Sequence, residues 1–260
     1  MAVKKNYHPE TYWSEVAGRI ASREGRNVIA GDDEPYYRYK RERFLELLHS
    51  VDFGVKKVLE IGPGPGGNLS EVLRQNPAEL HGADISQEMI DLASRHLDDD
   101  RVTLTKIDGR RLPYPDNYFD IVFTATVLQH NTDEAMLKQI LAEICRVSGD
   151  RVILFEMVAP EISGDELCMS RPPRYYADLV RPYGYELREI QHINIYSSYL
   201  LAGFTRKVLN PGSRREGEPL TPLSLAVQRL GLPLTKRLDK VFKVKKDVAK
   251  LVFRPKGKVV

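Results

Sequence analysis

Five short apolar runs, each separated from the next by a turn or an amphipathic stretch, constrain this chain more than any other feature. The runs are "KKVLEIG", "ELHGADIS", "RVTLTKIDG", "YFDIVFTATVL" and "RVILFEMVA". Between them, "GNLSEVLRQN", "SQEMIDLASRHL" and "DEAMLKQILAEICRV" place apolar residues at helical spacing, with Pro77 as a stop and Ser86 as an N-cap. Strands alternating with helices require right-handed crossovers into a parallel sheet covered on both faces. The expected fold is therefore α/β, a doubly wound, Rossmann-like, mostly parallel sheet.

The flanks read differently. Residues 1–50 read as a helical cap, clearest in "YYRYKRERFLELLHS", where Phe44, Leu47 and Leu48 recur on one face. After residue 160 the pattern gives a helix in "RPPRYYADLV", a turn at Tyr183–Gly184 and a strand. "SSYLLAGFTRKVL" reads as a closing strand, antiparallel to its neighbour across a tight hairpin. The polar, turn-rich residues 210–221 read as a linker. Residues 222–260 read as a basic amphipathic tail with Leu234, Leu238, Val241, Phe242 and Val248 on one helical stripe. The main domain is then 51–209.

Composition narrows the classes. A 42% hydrophobic content suits a folded globular chain, and no run approaches the roughly 20 apolar residues of a membrane-spanning helix. "MAVKKNYHPETYWSE" has no apolar segment behind its lysines, so no secretory leader is expected. Cys145 and Cys168 are the only cysteines, too few for a disulfide framework or a zinc site. A cytoplasmic protein without a metal is expected. The net charge of +3 is unevenly spread: from Arg229 to Val260 there are 11 Lys and Arg against 2 Asp, which leaves residues 1–228 at −6. A basic tail on an acidic body suggests an anionic partner.

The chemistry concentrates after the first strand, in "VLEIGPGPGGNL", residues 58–69. Glycines so close together serve a tight turn or let backbone approach a ligand. Gly62, Gly64 and Gly67 satisfy G-x-G-x-x-G, and Asp84, 22 residues past Gly62, lies where a ribose-binding carboxylate belongs. Three features point away from a nicotinamide dinucleotide. Glu60 precedes the glycines, a second acid, Asp108, ends the third strand, and the aromatic, proline-rich "RRLPYPDNYFD" leads into the fourth. Plainer readings stay open: Asp84 as neighbour of a helix cap, and Asp108 as the start of a turn with Gly109.

Together, "VLEIGPGPGG", "GADISQEMI", "DGRRLPYPDNYFDIVFTATVLQH" and "LAEICRV" resemble the class I S-adenosylmethionine-dependent methyltransferases, in particular the small-molecule branch with the ubiquinone and menaquinone biosynthesis enzymes. The resemblance covers roughly residues 36–158. It implies a seven-stranded sheet with the last strand antiparallel, and S-adenosyl-L-methionine as cofactor. It implies a loop of Gly62, Pro63, Gly64 and Gly66 beneath the methionine and ribose, with Glu60 just ahead and Asn68 near the amino-acid end. Asp84 would accept from the ribose hydroxyls and Asp108 from the adenine amino group. Gly109 and Arg110 would give backbone contacts, and Ile85 and Met89 would flank the adenine plane. Tyr36, Tyr37, Arg38 and Lys40 are candidates for the amino-acid end.

A sulfonium donor is already activated, so holding the acceptor in line supplies most of the rate. His130, in "TVLQH", is the expected base or substrate contact; the alternative is that it orders the loop before the "TDEA" helix, with Asn131–Thr132 as the cap. Glu156 is a weaker candidate. Residues 1–40 and 159–183, with His8, Trp13, Tyr175 and Tyr176, are expected to select a small-molecule or lipid-linked acceptor methylated on O or N. For the tail, three roles stand open: peripheral contact with an anionic membrane surface, packing within the chain or in a homodimer, and, least favoured, nucleic acid. A non-catalytic scaffold of the same fold is the alternative to an enzyme, and an intact glycine loop with two acids argues against it.

Overall fold

A computed structural model describes residues 8–21, 34–213 and 219–257. Its centre is a seven-stranded sheet. The strands are β1 (Lys57–Ile61), β2 (Glu79–Asp84), β3 (Val102–Lys106), β4 (Phe119–Ala125), β5 (Ser148–Val158), β8 (Tyr185–His192) and β9 (Asp247–Pro255). Their spatial order is β3-β2-β1-β4-β5-β9-β8. The first five are parallel, and β9 runs antiparallel to both β5 and β8. The expected doubly wound, mostly parallel sheet with an antiparallel last strand is present. A separate two-stranded hairpin, β6 (Ser163–Gly164) and β7 (Met169–Ser170), stands apart from it.

Helices cover both faces. On one, α5 (Glu134–Val147) and α6 (Pro173–Val180) pack Leu137, Leu141, Ile144 and Tyr176 against Leu59, Val122 and Leu154. On the other lie α2 (Pro35–His49), α3 (Gly67–Leu73), α7 (Tyr196–Val208) and α8 (Pro222–Val241), whose Phe44, Leu48, Leu69, Ala202 and Leu232 share a core with Phe53, Phe123 and Phe155. Helix α1 (Pro9–Ala21) packs Ala17 and Ile20 against Met89 of α4 (Gln87–Leu97). Ser86 caps α4 as expected, accepting from the Met89 N–H. The cap of α5 is Asp133, which accepts from Ala135 and Met136, in place of the expected Asn131–Thr132.

The C-terminal third departs from the sequence reading in two places. "SSYLLAGFTRKVL" is helix α7, not a strand, so β8 and β9 are joined through two helices instead of a tight hairpin. The residues α7 buries are the small Ser198, Ala202 and Thr205, while Tyr199, Leu200, Phe204 and Val208 point outward, which hides the helical period. The described part of the expected tail, residues 222–257, is not detached; residues 258–260 lie outside the described residues. Its first half is α8, and residues 247–255 are β9, an inner strand where Val248, the last residue of the expected helical stripe, is buried.

Lys250 obscured that strand, because lysine is rare in an inner strand. Its ammonium is 3% exposed and reaches Glu189 at 3.0 Å and Ser50 Oγ at 2.8 Å. Part of the expected linker, 214–218, lies outside the described residues. Its ends are tied together: Asn210 accepts from the Thr221 N–H and donates to Ser224.

Candidate functional site

The sheet order reverses between β1 and β4, and a cavity of about 590 Å³ opens there, at the carboxyl ends of the strands. That is where ligands bind in open α/β sheets, and the size suits a nucleoside-sized molecule. Its floor is the turn after β1. Gly62 holds φ at +70°, and a Cβ there would come within 2.4 Å of the Val127 side chain, so only glycine fits. Gly64, at φ +53°, would add a Cβ into open space, so its backbone faces the cavity unshielded.

Asp84, the last residue of β2, anchors this turn. Its Oδ2 accepts from the Gly64 N–H at 3.1 Å and its Oδ1 from the Ser86 N–H at 2.9 Å. The carboxyl is 6% exposed, and burial pushes its pKa up to about 6 against the opposing pull of the Ser86, Gly64 and Ile85 amides. Beside it, Ile85, Met89, Ile107 and Gly109 form an apolar slot.

Polar groups gather at the other end of the turn. Asn68 donates its amide to Glu60 Oε1 at 2.7 Å, and the Arg41 guanidinium donates to Asn68 Oδ1 and, at 3.0 Å, to the Gly67 carbonyl. Glu60 is fully buried and its Oε2 has no hydrogen-bond partner. Burial raises its pKa to about 8, opposed by Asn68 and Arg41. A buried carboxyl with one oxygen left without a partner is uncommon and marks the wall behind Asn68 as a candidate functional position.

The third wall is the segment after β4, with Trp13 of α1 and the β6–β7 hairpin. Two buried ions of opposite sign fix this segment. Glu156 accepts from Thr124 Oγ1 and from the Val127 and Gln129 N–H groups, while Arg171 donates to the Leu128 and Asn131 carbonyls.

The tautomer of His130 follows from its neighbours. Gln129 Oε1 accepts from the Met157 N–H, so its amide nitrogen faces His130 Nε2, 3.0 Å away. Nε2 is thus the acceptor, and Nδ1 carries the proton donated to the Leu167 carbonyl at 2.9 Å. The ring also meets Trp13 edge to face, centroids 5.0 Å apart.

Of the residues singled out in the sequence, Gly62, Pro63, Gly64, Asn68, Asp84, Ile85, Met89, Gly109 and His130 line the cavity. Glu60 lies directly behind Asn68. Like Glu60, three others do not line it. Gly66 is the N-cap of α3. Asp108 is exposed, and its Oδ1 accepts from the Arg110 and Arg111 N–H groups, which is the turn-forming alternative. Arg110 is exposed on the same turn.

His130 orders the loop and the hairpin, and in this arrangement its Nε2 lone pair is taken, which does not suit a general base. Glu156 is likewise a loop anchor behind the wall. Of the acceptor-selecting candidates Trp13 lines the cavity, while Tyr176 is in the core and Tyr175 pairs with Glu134. From α2, Tyr37 and Lys40 line the cavity, while Tyr36 turns to Asp247 and Gln228. Sequence reading missed Arg41 and Phe44, although spacing from Tyr37 would have found them: 37, 40, 41 and 44 share one helical face. Arg171 carried no signal.

Residues 58–149 match the family described as a methyltransferase domain. Among curated proteins, the chain is 30% identical over 154 residues to the ubiquinone/menaquinone biosynthesis C-methyltransferase UbiE of Desulfotalea psychrophila, covering 58% of each chain. It is 26% identical over 152 residues to a polyamine aminopropyltransferase of Archaeoglobus fulgidus, covering 56% of this chain and 55% of that one. The chain spans about half the length of the curated relatives it matches.

Among solved structures it is similar to the [4+2]-cyclase SpnF, with a TM-score of 0.64, 20% identity and 95% of both chains covered. It is also similar to the magnesium protoporphyrin IX methyltransferase of Synechocystis PCC 6803 with bound SAH, with a TM-score of 0.54, 14% identity, and 70% and 90% covered. The fold is the Rossmann-like one that these solved structures share. The likeness to a menaquinone-type enzyme extends equally to proteins with other substrates, so the branch expected from the sequence is not singled out.

Proposed function

We propose that the chain is an S-adenosylmethionine-dependent methyltransferase acting on an O or N atom of a small-molecule or lipid-linked acceptor. The observation that carries this reading is Asp84, a buried carboxylate at the end of β2, set between a bare glycine turn and an apolar slot. The residues fit the cofactor. Asp84 keeps lone pairs for the two ribose hydroxyls, since each oxygen spends one on a backbone amide. Ile85, Met89, Ile107 and Gly109 offer a flat apolar bed for a purine. Asn68, held by Glu60, and Arg41 stand at the end of the turn where the amino-acid portion would lie, and Arg41 suits an α-carboxylate. When bound, the cofactor supplies an electrophilic methyl group.

The protein's contribution is then positioning and exclusion of water. Trp13, His130, Leu167 and Cys168 enclose the side of the cavity opposite the sheet, where an acceptor would lie. With its Nε2 occupied, His130 acts as a positioning residue that pins the β6–β7 hairpin over the cavity. An acceptor that leaves its proton to bulk water needs no base beside the sulfonium.

The test is methyl transfer from radiolabelled S-adenosylmethionine into a cell extract fractionated into lipid, soluble, protein and nucleic-acid pools. Label in the lipid or soluble pool supports the reading. Label confined to protein or nucleic acid, or no label in any pool, contradicts it.

A further inference from the structure

Helix α8 is inside out. The residues it buries are polar: Ser224, Gln228 and Asp239, with Leu232 alone among them apolar. Each has a partner. Gln228 donates to Glu34 and Thr205, and Asp239 accepts from the Ser197 and Ser198 N–H groups and the Ser198 hydroxyl. Its large aliphatic residues point the other way. Leu223, Leu230, Leu234, Leu238 and Val241 recur at intervals of seven, four, four and three, which places them on one stripe. Leu230 is 82% exposed and Val241 72%.

Helix α7 continues the surface. The two helices lie close because Gly231 leaves room for Leu201, where a Cβ would approach to 2.6 Å. Tyr199, Leu200, Phe204 and Val208 of α7 are also exposed. Two neighbouring helices thus present one broad apolar face, of the kind that marks an interaction site.

Charge decides the occupant. Among the described residues from Tyr196 to Lys246 the one acid is Asp239, which is buried. Exposed cations accompany the face: Lys207 on α7, Arg237 and Lys240 on α8, and Lys243, Lys245 and Lys246 just beyond it. Pairing this face with a second copy of itself would bring like charges together. An anionic lipid surface meets both demands, with phosphates for the rim and acyl chains for the stripe.

We infer that the outer face of the α7–α8 pair docks the protein on an anionic bilayer. This goes beyond the proposed chemistry and does not depend on it. The surface also differs from the tail expected from the sequence, because β9 is part of the sheet and α7 supplies half of the apolar area. On its inner side the pair packs on α2, whose Tyr37, Lys40, Arg41 and Phe44 line the cavity. A docked protein would therefore hold its cavity one helix away from the lipid.

The experiment is co-sedimentation of the full chain with vesicles of phosphatidylcholine alone or with about one part in three phosphatidylserine, at about 0.1 M and 0.5 M salt. Binding to the anionic vesicles at low salt, weakened at high salt, is expected. The double variant L230Q/L234Q should bind at least about tenfold more weakly while keeping its circular dichroism and melting temperature, because both side chains lie outside the core. The variant K243E/K246E should lose the salt-dependent part. Failure to bind anionic vesicles, or equal binding by L230Q/L234Q, would overturn the inference. So would a stable dimer in the absence of lipid that L230Q/L234Q dissociates, since the face would then belong to a second copy. None of these outcomes bears on methyl transfer to a soluble acceptor.

Discussion

Helices α5 and α8 are both amphipathic, and they bury opposite faces. α5 follows the usual rule: Leu137, Ile140, Leu141 and Ile144 enter the core and its charged residues face out. α8 buries Ser224, Gln228 and Asp239 beside a single leucine, Leu232, and leaves Leu223, Leu230, Leu234 and Leu238 outside. Position, not composition, separates the two. α5 lies directly on the sheet, where only apolar surface packs well. α8 sits over α2 and α7, whose inward groups include Glu34, Thr205 and Ser198, so its contact is a hydrogen-bonded layer. Amphipathicity alone tells that a helix has two sides, and the neighbours decide which side is inner.

The contrast can be broken by mutation. Leu141→Ala in α5 should cost about 2–5 kcal/mol in urea unfolding, as for a fully buried leucine whose cavity only partly collapses. Asp239→Ala in α8 should cost about 1–3 kcal/mol, because it leaves the Ser197 and Ser198 amides at the start of α7 without their acceptor. Leu230→Ala should change stability by less than about 0.5 kcal/mol, the size expected for an exposed residue without partners. If Leu230→Ala cost as much as Leu141→Ala, the outward face of α8 would be wrongly assigned.

A second comparison concerns the buried carboxylates. Asp239 and Glu156 have donors for both oxygens, whereas Glu60 has a donor for only one. Its pKa of about 8 lies above the ordinary 4.5, so the folded protein keeps a proton that the unfolded chain releases. The stability this provides is complete below about pH 4.5 and is lost as pH rises through about 8. Glu60→Gln should remove that loss, so the urea midpoints of wild type and variant should diverge between these limits, the variant being the more stable at the alkaline end. Parallel midpoints across the range would show that Glu60 is ionised throughout.

The first five strands and the glycine turn were legible because their residues serve one purpose each. β1, β2, β4 and β5 are apolar because both faces are covered, and Gly62 is glycine because Val127 leaves no room for a side chain. Asp84 was legible from its distance to that turn. The carboxyl of Asp108 was not, because an acid before a glycine reads equally as a ligand contact or a turn, and its Oδ1 accepts from the Arg110 and Arg111 amides.

His130 lines the cavity, but its tautomer depends on Gln129, Met157 and Leu167, which come together only in three dimensions. The C-terminal region was illegible for a single reason. α7 and α8 turn their apolar residues outward and β9 carries a buried lysine, so each element contradicts the pattern by which it would be recognised.

Calorimetric titration with S-adenosylmethionine and S-adenosylhomocysteine, on wild type and Asp84→Asn, tests the central claim most directly. Saturable binding of both by the wild type is expected, with an affinity loss of about tenfold or more in the variant, as befits a charged acceptor shared by two hydroxyls. No saturable binding by the wild type, or unchanged affinity in Asp84→Asn, would contradict it.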